Sequence, residues 1–480
     1  MFQGRWAGQV LDCCGGCSTR AAHLQLGGKR LLADAPPSQD TAAHLLMPPL
    51  ANAHDHVRGV KPTSLGGFDL PLELWLLTMS GLPKVDPYLV TAAALGRQAL
   101  GGLGSIMVHY TRPQNASRLV DELAIVAKAA EDIGVRVAIA IAMRDQNPLG
   151  YAPNAKLLAD LLPADRECVE TRMLSTPPTP TEQVAWVDQL AARIESDLVT
   201  VQYGPYGLEW CSDELLRLIA ERSAQDGRRV HMHLLESPLQ REYLDFAHPQ
   251  GAVQYLAEIG LLSPRLSLAH ATHLRPDEMD ILAAHGVIIS VNSSSNMILR
   301  NGIAPAAEMH GRGVRLATGL DGFSIDDDDD ALREFRLAYM LHRGRGLGGG
   351  WELGDLLQAA CQTGRESVNT ITASPLVEGA PADLLVLDRT ALTSDVVVPI
   401  DDAAMFAHRA TSKHIQQMIV AGRTVAQNGA LLGIDLGGVQ AELNAQVRAG
   451  ASDYLSWQQA SAGLRQRVAA FYGAGLHRCG

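Results

Sequence analysis

Two histidines flank an aspartate, His54-Asp55-His56, at the end of a run of small and apolar residues that starts at Met47. Side chains two apart on an extended strand share a face, so His54 and His56 point one way and Asp55 the other. Two imidazoles on one face can hold one divalent ion. A second strand-like run, Gly227 to Ser237, carries His231 and His233 and ends beside Glu236. Period two does not separate the two histidines; His231 reads as a packed histidine or one that supports a ligand from behind, and His233 as the ligand. Glu236 lies just past the strand end, where a carboxylate can reach water on the same ion and pass its proton to a leaving group. Pro264–His270 is a third run ending in histidine, with His273 as a second candidate. Val314 to Gly322 is a fourth, ending in Asp321, which can bind a metal and accept a proton. The chemistry these residues suggest is hydrolysis by water activated on a metal.

Groups that far apart in sequence need a scaffold that gathers strand ends. Helical patterns over Asp121–Glu131 and Glu182–Ser196 alternate with apolar runs over Val135–Met143 and Leu198–Tyr203. Strands alternating with helices imply a parallel sheet, and in a (β/α) barrel the catalytic side chains sit at the C-terminal ends of different strands. The expected class is α/β: a TIM-like (β/α)8 barrel with a small discontinuous β-sandwich domain built from both chain ends. The expected boundaries are 1–47 and 374–437 for the small β-domain, 48–373 for the barrel, and 438–480 for a C-terminal helical extension. Pro163 to Pro180 reads as a loop. Gln416–Ala426 reads as a hairpin turning at Ala421-Gly422. Trp457 onward packs either on a partner subunit or on its own barrel.

The motifs together resemble the amidohydrolase superfamily, in the branch of cytosine and guanine deaminases and triazine hydrolases. The matching pieces are His54-Asp-His56, His233-Leu-Leu-Glu236, His270-Ala-Thr-His273, Asn292-Ser-Ser-Ser-Asn296 with Gly302-Ile-Ala-Pro305, and Gly319-Leu-Asp321-Gly322. The resemblance runs from about Pro48 to Gly433. It implies one catalytic divalent metal ion, zinc first and iron or manganese as alternatives. His54, His56, His233 and Asp321 would be its ligands, Glu236 would shuttle a proton, and His270 would polarise or orient the attacking group. Binuclear members carry a bridging Lys or Glu on a middle strand; Val135–Met143 and Asp197–Gly204 contain neither, which favours one ion. Departures sit where a ring would bind: Leu320 stands where the branch has Thr, Val291-Asn292-Ser293 where it has His-Asn-Pro, and Tyr206 where many deaminases carry His.

Residues past the strand ends would line the pocket. Trp75, His109, Arg112, Arg144, Tyr206 and Asn292 are the expected substrate contacts, a mixture of aromatic, amide and guanidinium groups that suits a small nitrogen heterocycle. The expected function is a metal-dependent hydrolytic deaminase of a purine, pyrimidine, pterin or triazine. The alternatives are a cyclic amide or imide hydrolase, a hydrolase expelling a non-amine group, and a non-catalytic binding protein.

The formal net charge is −12 and the isoelectric point about 5.7, which argues against nucleic acid or an anionic membrane as a partner. The run Asp326–Asp330 reads as a solvated helix N-terminus. Seven dispersed cysteines do not form a disulfide framework. Cys14-Gly-Gly-Cys17 reads as a tight turn, and the Pro-Cys-x-x-Cys motif of another zinc deaminase class is missing. No signal-length or membrane-length apolar run is present, so the expectation is a soluble cytoplasmic homodimer.

Overall fold

The computed structural model describes residues 4–13, 17–35, 43–369 and 375–479. The chain opens with β1 (Arg5–Asp12), β2 (Ser18–Gly27), β3 (Arg30–Ala35) and β4 (His44–Met47). Eight barrel strands follow: β5 (Leu50–Asp55), β6 (Leu103–Tyr110), β7 (Arg136–Met143), β8 (Val199–Pro205), β9 (Val230–Leu234), β10 (Leu266–His270), β11 (Ile288–Val291) and β12 (Arg315–Thr318). Four more close the strand list: β13 (Leu384–Asp388), β14 (Ile415–Val420), β15 (Arg423–Gln427) and β16 (Ala430–Leu431).

The barrel strands lie side by side in chain order, all parallel. Sequences such as Arg-Val-Ala-Ile-Ala-Ile-Ala-Met in β7 are apolar at nearly every position because parallel strands are covered on both faces. The crossover helices carry their own signals. Leu119–Ile133 stops at Gly134, whose φ of 98° is left-handed. Pro180–Ile194 starts with a Thr179–Glu182 capping box and proline in the first turn.

Two places depart from a regular cylinder. β8 and β9 share a single ladder pair, Tyr203 with Val230, and meet again only at Gly207 and His233, so the wall splays beside Tyr206. At the seam, Asp321 N–H donates to the His54 carbonyl at 2.8 Å and Leu320 N–H to Asn52 Oδ1 at 2.9 Å. The barrel floor is plugged by the short helix Gly364–Val368: Gln202 Nε2 donates to the carbonyls of Ser367 and Val368, and Val368 packs with Met107, Ala138 and Ala140.

Strands from both chain ends build one mixed eight-stranded sheet in the order β16-β15-β14-β13-β4-β1-β2-β3. It is tied to the barrel by the buried Asp383 carboxylate, which accepts from Arg136 Nε at 3.0 Å and pairs with Arg365. The hairpin at Ala421-Gly422 is present between β14 and β15. Helices Leu436–Ala449, Ala451–Ala460 and Ala462–Gly473 follow. Trp457 is buried against its own chain, donating to the Leu77 carbonyl at 3.2 Å.

Two local expectations are corrected. Pro163–Pro180 is not wholly a loop, because Pro163–Met173 is a helix. The proline occupies a first-turn position, where its missing N–H costs nothing and its fixed φ suits the helix. Asp330 caps the helix Ala331–His342 by accepting from Leu332 N–H. The Asp329 carboxylate is buried on Arg97 at 2.8 Å instead of facing water. Of the Cys14-Gly-Gly-Cys17 segment, Cys14, Gly15 and Gly16 lie outside the described residues, as does the 373/374 boundary. No helix among the described residues is long and apolar enough to cross a membrane.

Candidate active site

The C-terminal ends of β5, β9, β10 and the turn after β12 meet at one point. His54 and His56 project from the end of β5, His233 from β9, His270 from β10, and Asp321 from the turn that crosses the seam. Asp321 Oδ1 lies 3.0 Å from His56 Nε2 and 3.3 Å from His54 Nε2. His233 Nε2 lies 3.4 Å from His56 Nε2. His270 Nε2 lies 3.5 Å from Glu236 Oε2 and 4.0 Å from Asp321 Oδ2. Ligand atoms of His54, His56 and Asp321 fall within 4.8 Å of one another, and so do those of His54, His233 and His270.

The backbone around this point is left-handed at Val57, Leu235, His270, Ala271 and Asp321, with φ between 47° and 73°. Such conformations are costly for residues with a Cβ and persist where surroundings over-determine them. The turn before Asp321 needs Gly319: a Cβ there would come within 2.3 Å of Asn292 Oδ1 and 2.5 Å of Ser290 Oγ. The Asp55 carboxylate, on the opposite face from its two histidines, accepts from Val57 N–H at 2.6 Å and Gly322 N–H at 3.0 Å. It fastens the two loops that carry His56 and Asp321.

Each histidine is held through Nδ1 and turns Nε2 toward the common point. His56 Nδ1 donates to the His109 carbonyl at 2.7 Å and His233 Nδ1 to the Tyr206 carbonyl at 2.6 Å. His270 Nδ1 meets Asn296 Oδ1 at 2.8 Å, and His54 Nδ1 meets His231 Nε2 at 2.7 Å. His54 Nε2 and His270 Nε2 are buried without a hydrogen-bond partner. Buried polar atoms are rarely left so. Three Nε2 lone pairs and a carboxylate are a donor set that zinc accepts, so these residues fit a divalent ion.

Burial disfavours the charged form of the imidazoles and pushes His54 and His233 well below the ordinary histidine range, with neighbouring histidines adding to the effect. Burial alone would raise Asp321, but the Arg58 guanidinium and the contacts from His54 and His56 outweigh it and hold the carboxylate well below its usual range. Arg58 Nη1 reaches both the Asp321 carbonyl and its Oδ1. Glu236 goes the other way: burial, then the charges of Asp321 and Glu73, push it well above the ordinary range. Asn301 Nδ2 donates to Glu236 Oε1 at 2.9 Å and leaves Oε2 toward His270. The site therefore pushes its two carboxyl groups in opposite directions.

A cavity of about 1150 Å³ opens from His56 and is lined by Trp75, Arg112, Arg144 and Tyr206 among others. Arg144 sits over the Tyr206 ring, 5.0 Å from its centre. Two of the six expected substrate contacts are elsewhere. His109 is fully buried behind the ligand cluster, stacked 4.9 Å from the His233 ring, because it falls inside β6 and not after it. Asn292 is also fully buried, accepting from Ser290 Oγ at 2.8 Å and placing Nδ2 3.3 Å from His270 Nδ1. Sequence reasoning missed Glu73 on the cavity wall, which accepts from Ser237 Oγ. It also missed Asn52, which joins Gln98, Asp55 and the Leu320 N–H. Neither carries a motif signal; each is a single polar residue in an apolar stretch.

A family model described as the amidohydrolase family matches residues 45–425. A 5'-deoxyadenosine deaminase of Methanopyrus kandleri is 32% identical over 240 residues, 50% of this chain and 55% of that protein. A 5-methylthioadenosine/S-adenosylhomocysteine deaminase of Nitratidesulfovibrio vulgaris is 28% identical over 442 residues, 88% of this chain and 91% of that protein. The chain spans between about half and two thirds of the length of the four 5'-deoxyadenosine deaminases it matches. Among solved structures, an adenosine deaminase from Xanthomonas campestris with bound zinc superposes with a TM-score of 0.76 at 20% identity, covering 93% of this chain and 97% of that one. An atrazine chlorohydrolase from Arthrobacter aurescens complexed with zinc gives 0.77 at 20% identity, covering 93% and 100%. These structures share the fold, and the family match spans most of the sequence: the chain belongs to the amidohydrolase family.

Proposed function

We propose that this protein is a hydrolytic deaminase of a nitrogen heterocycle that works with one divalent ion, zinc by first preference. The observation that carries the reading is the approach of His54 and His56 Nε2 to the Asp321 carboxylate, with His233 Nε2 3.4 Å from His56 Nε2, Glu236 beside His270, and a cavity that opens from His56. Relatives named as deaminases of 5'-deoxyadenosine and of 5-methylthioadenosine or S-adenosylhomocysteine support a substrate of the purine nucleoside kind. His54, His56, His233 and Asp321 are the ligands in this reading. An ion held by these residues would supply Lewis acidity and lower the pKa of water toward neutral pH.

The chain's own groups supply the rest. Asp321, kept ionised by Arg58, accepts the proton of the attacking water. Glu236, steadied by Asn301, delivers its proton to a ring nitrogen, takes the second proton of the added water from the new hydroxyl and hands it to the departing amine, and the proton held by Asp321 restores Glu236. His270, fixed through Nδ1 by Asn296, aims Nε2 at the reacting centre. Trp75, Arg112, Arg144 and Tyr206 position the ring and exclude water from it. In domain terms, 48–373 is the catalytic barrel, 1–47 and 374–437 the small β-domain, and 438–480 the helical extension; the working unit is a cytoplasmic homodimer.

The test is ammonia release by metal-analysed protein over aminopurines and their nucleosides, aminopyrimidines, aminopterins and aminotriazines, with Glu236→Gln as the blank. Release that depends on Glu236 establishes deamination. Silence across the panel at one metal per chain moves the reading to ring-opening hydrolysis of a cyclic amide.

A further inference from the structure

Three of the four histidines at the site hand their Nδ1 proton to an oxygen that can only accept or is set to accept. His56 uses the His109 carbonyl, His233 the Tyr206 carbonyl, and His270 the Asn296 side-chain oxygen. His54 is the exception. Its Nδ1 faces another imidazole, His231 Nε2, at 2.7 Å. An imidazole nitrogen can be donor or acceptor, so this contact alone does not choose the tautomer of His54.

The next atoms along the line supply an arrangement that sets it. His231 Nδ1 lies 2.7 Å from Ser267 Oγ, and Ser267 Oγ lies 3.4 Å from the Val230 carbonyl. A carbonyl has no proton to give; with the Ser267 hydroxyl donating to it, a lone pair of Ser267 Oγ faces His231. His231 then carries its proton on Nδ1 and presents a bare Nε2. His54 must donate from Nδ1, and its Nε2 is left as a lone pair. That nitrogen is the one 3.3 Å from Asp321 Oδ1 and without a hydrogen-bond partner. His54, His231 and Ser267 are all fully buried or nearly so, so water does not compete for these bonds.

We infer that His231 is a positioning residue for the metal site: through Ser267 and the Val230 carbonyl it fixes which nitrogen of His54 is free to bind an ion. This rests on the metal-site reading given above. It assigns His231 a role distinct from that of His233 two residues on, which faces the ion itself. In this arrangement the relay runs from His54 through His231 and Ser267 to the backbone.

The experiment is divalent-zinc affinity by competition with a chromogenic chelator, on wild type, His231→Phe and His231→Gln, with midpoints of thermal unfolding of the zinc-free proteins as the folding control. Partners that orient metal ligands are worth about 10–100-fold in affinity. His231→Phe keeps the ring volume but accepts nothing and should lose affinity in that range. His231→Gln puts an amide oxygen within reach of His54 Nδ1 and should recover most of it. Equal affinity in wild type and His231→Phe overturns the inference, and so does an equal loss in both variants with unchanged folding. Failure of wild type to bind zinc overturns the metal reading beneath it instead. Nitrogen-15 spectra of histidine-labelled, zinc-free protein read the relay directly: His231 protonated on Nδ1 is the expected result, and His231 protonated on Nε2 overturns the inference.

Discussion

The backbone N–H of Asp321 donates to the carbonyl oxygen of His54 at 2.8 Å, so the residue that ends the barrel is bonded to one of the two histidines that begin it. Both side chains then face the same point, 3.3 Å apart. The seam of the barrel and the candidate metal site are one set of contacts, and the first prediction follows from that. Protein stripped with a chelator should unfold at a lower temperature than loaded protein, and zinc should raise the midpoint in a concentration-dependent way. Binding to the folded state alone adds about 2.7 kcal/mol at a hundredfold excess over the dissociation constant. Calorimetry across a zinc titration checks it, and a midpoint indifferent to divalent ions would count against the site.

Glu236→Gln keeps shape and hydrogen bonding but removes the proton carrier. Metal content should stay at the wild-type value while kcat falls by about 10²–10⁴-fold, the usual worth of a positioned acid or base. Elemental analysis beside steady-state rates separates the two. Turnover at the wild-type rate would take Glu236 out of the mechanism.

Asp321→Asn should weaken both binding and rate, since it removes the carboxylate charge that Arg58, His54 and His56 converge on. Zinc affinity should drop by about tenfold or more. Full occupancy at full activity would reject the ligand role.

Arg144 rests on the face of Tyr206 at 5.0 Å and lines the cavity. Arg144→Ala should raise KM by about fivefold, the equivalent of about 1 kcal/mol of lost cation–π and substrate contact, with little change in kcat. Unchanged KM on the best substrate would remove Arg144 from the pocket wall that substrates touch.

Glu209 gives a pH prediction away from the ligands. Burial, followed in effect by the charges of Glu236 and Glu73, raises it from 4.5 to about 8, although Gln240 opposes the shift by donating to Oε1; Oε2 has no partner. A raised acid holds its proton longer in the folded state than in the unfolded one. Its contribution to stability is therefore complete below about 4.5 and is lost as pH climbs toward about 8. Glu209→Gln should flatten the unfolding midpoint against pH across that window. An unchanged slope would show that Glu209 ionises normally in the folded protein.

The barrel was legible because parallel strands buried on both faces write themselves as apolar runs, and each ligand sits at or just past the end of one. His54, His56, His233, Glu236, His270 and Asp321 converge in space as the strand-end reading expects. The lining was harder to read. His109 was assigned to the cavity because it follows Val108, but β6 continues to Tyr110 and carries it inward. Asn292 was assigned by its place after β11, yet Ser290 and His270 engage its side chain on the buried side. Strand ends shift by a residue or two without any change in hydrophobic pattern, and at a period of two each shift turns a side chain to the other face. Pro163–Met173 was hidden for another reason: two flanking prolines and threonines look like a loop, while one proline simply starts a helix.

The two ends of this chain are mechanically one object. β4 is hydrogen-bonded on one side to β1 and on the other to β13, and only Pro48 and Pro49 separate it from β5, the strand that carries His54 and His56. Slack introduced at either end of the chain, by a cut in the late hairpin or by loss of the first strand, is therefore delivered to the same short tether. The small sheet works as the anchorage of a taut line whose other end holds two of the proposed ligands. Tension lost there should register first as a change in grip on the ion, before any barrel strand comes apart.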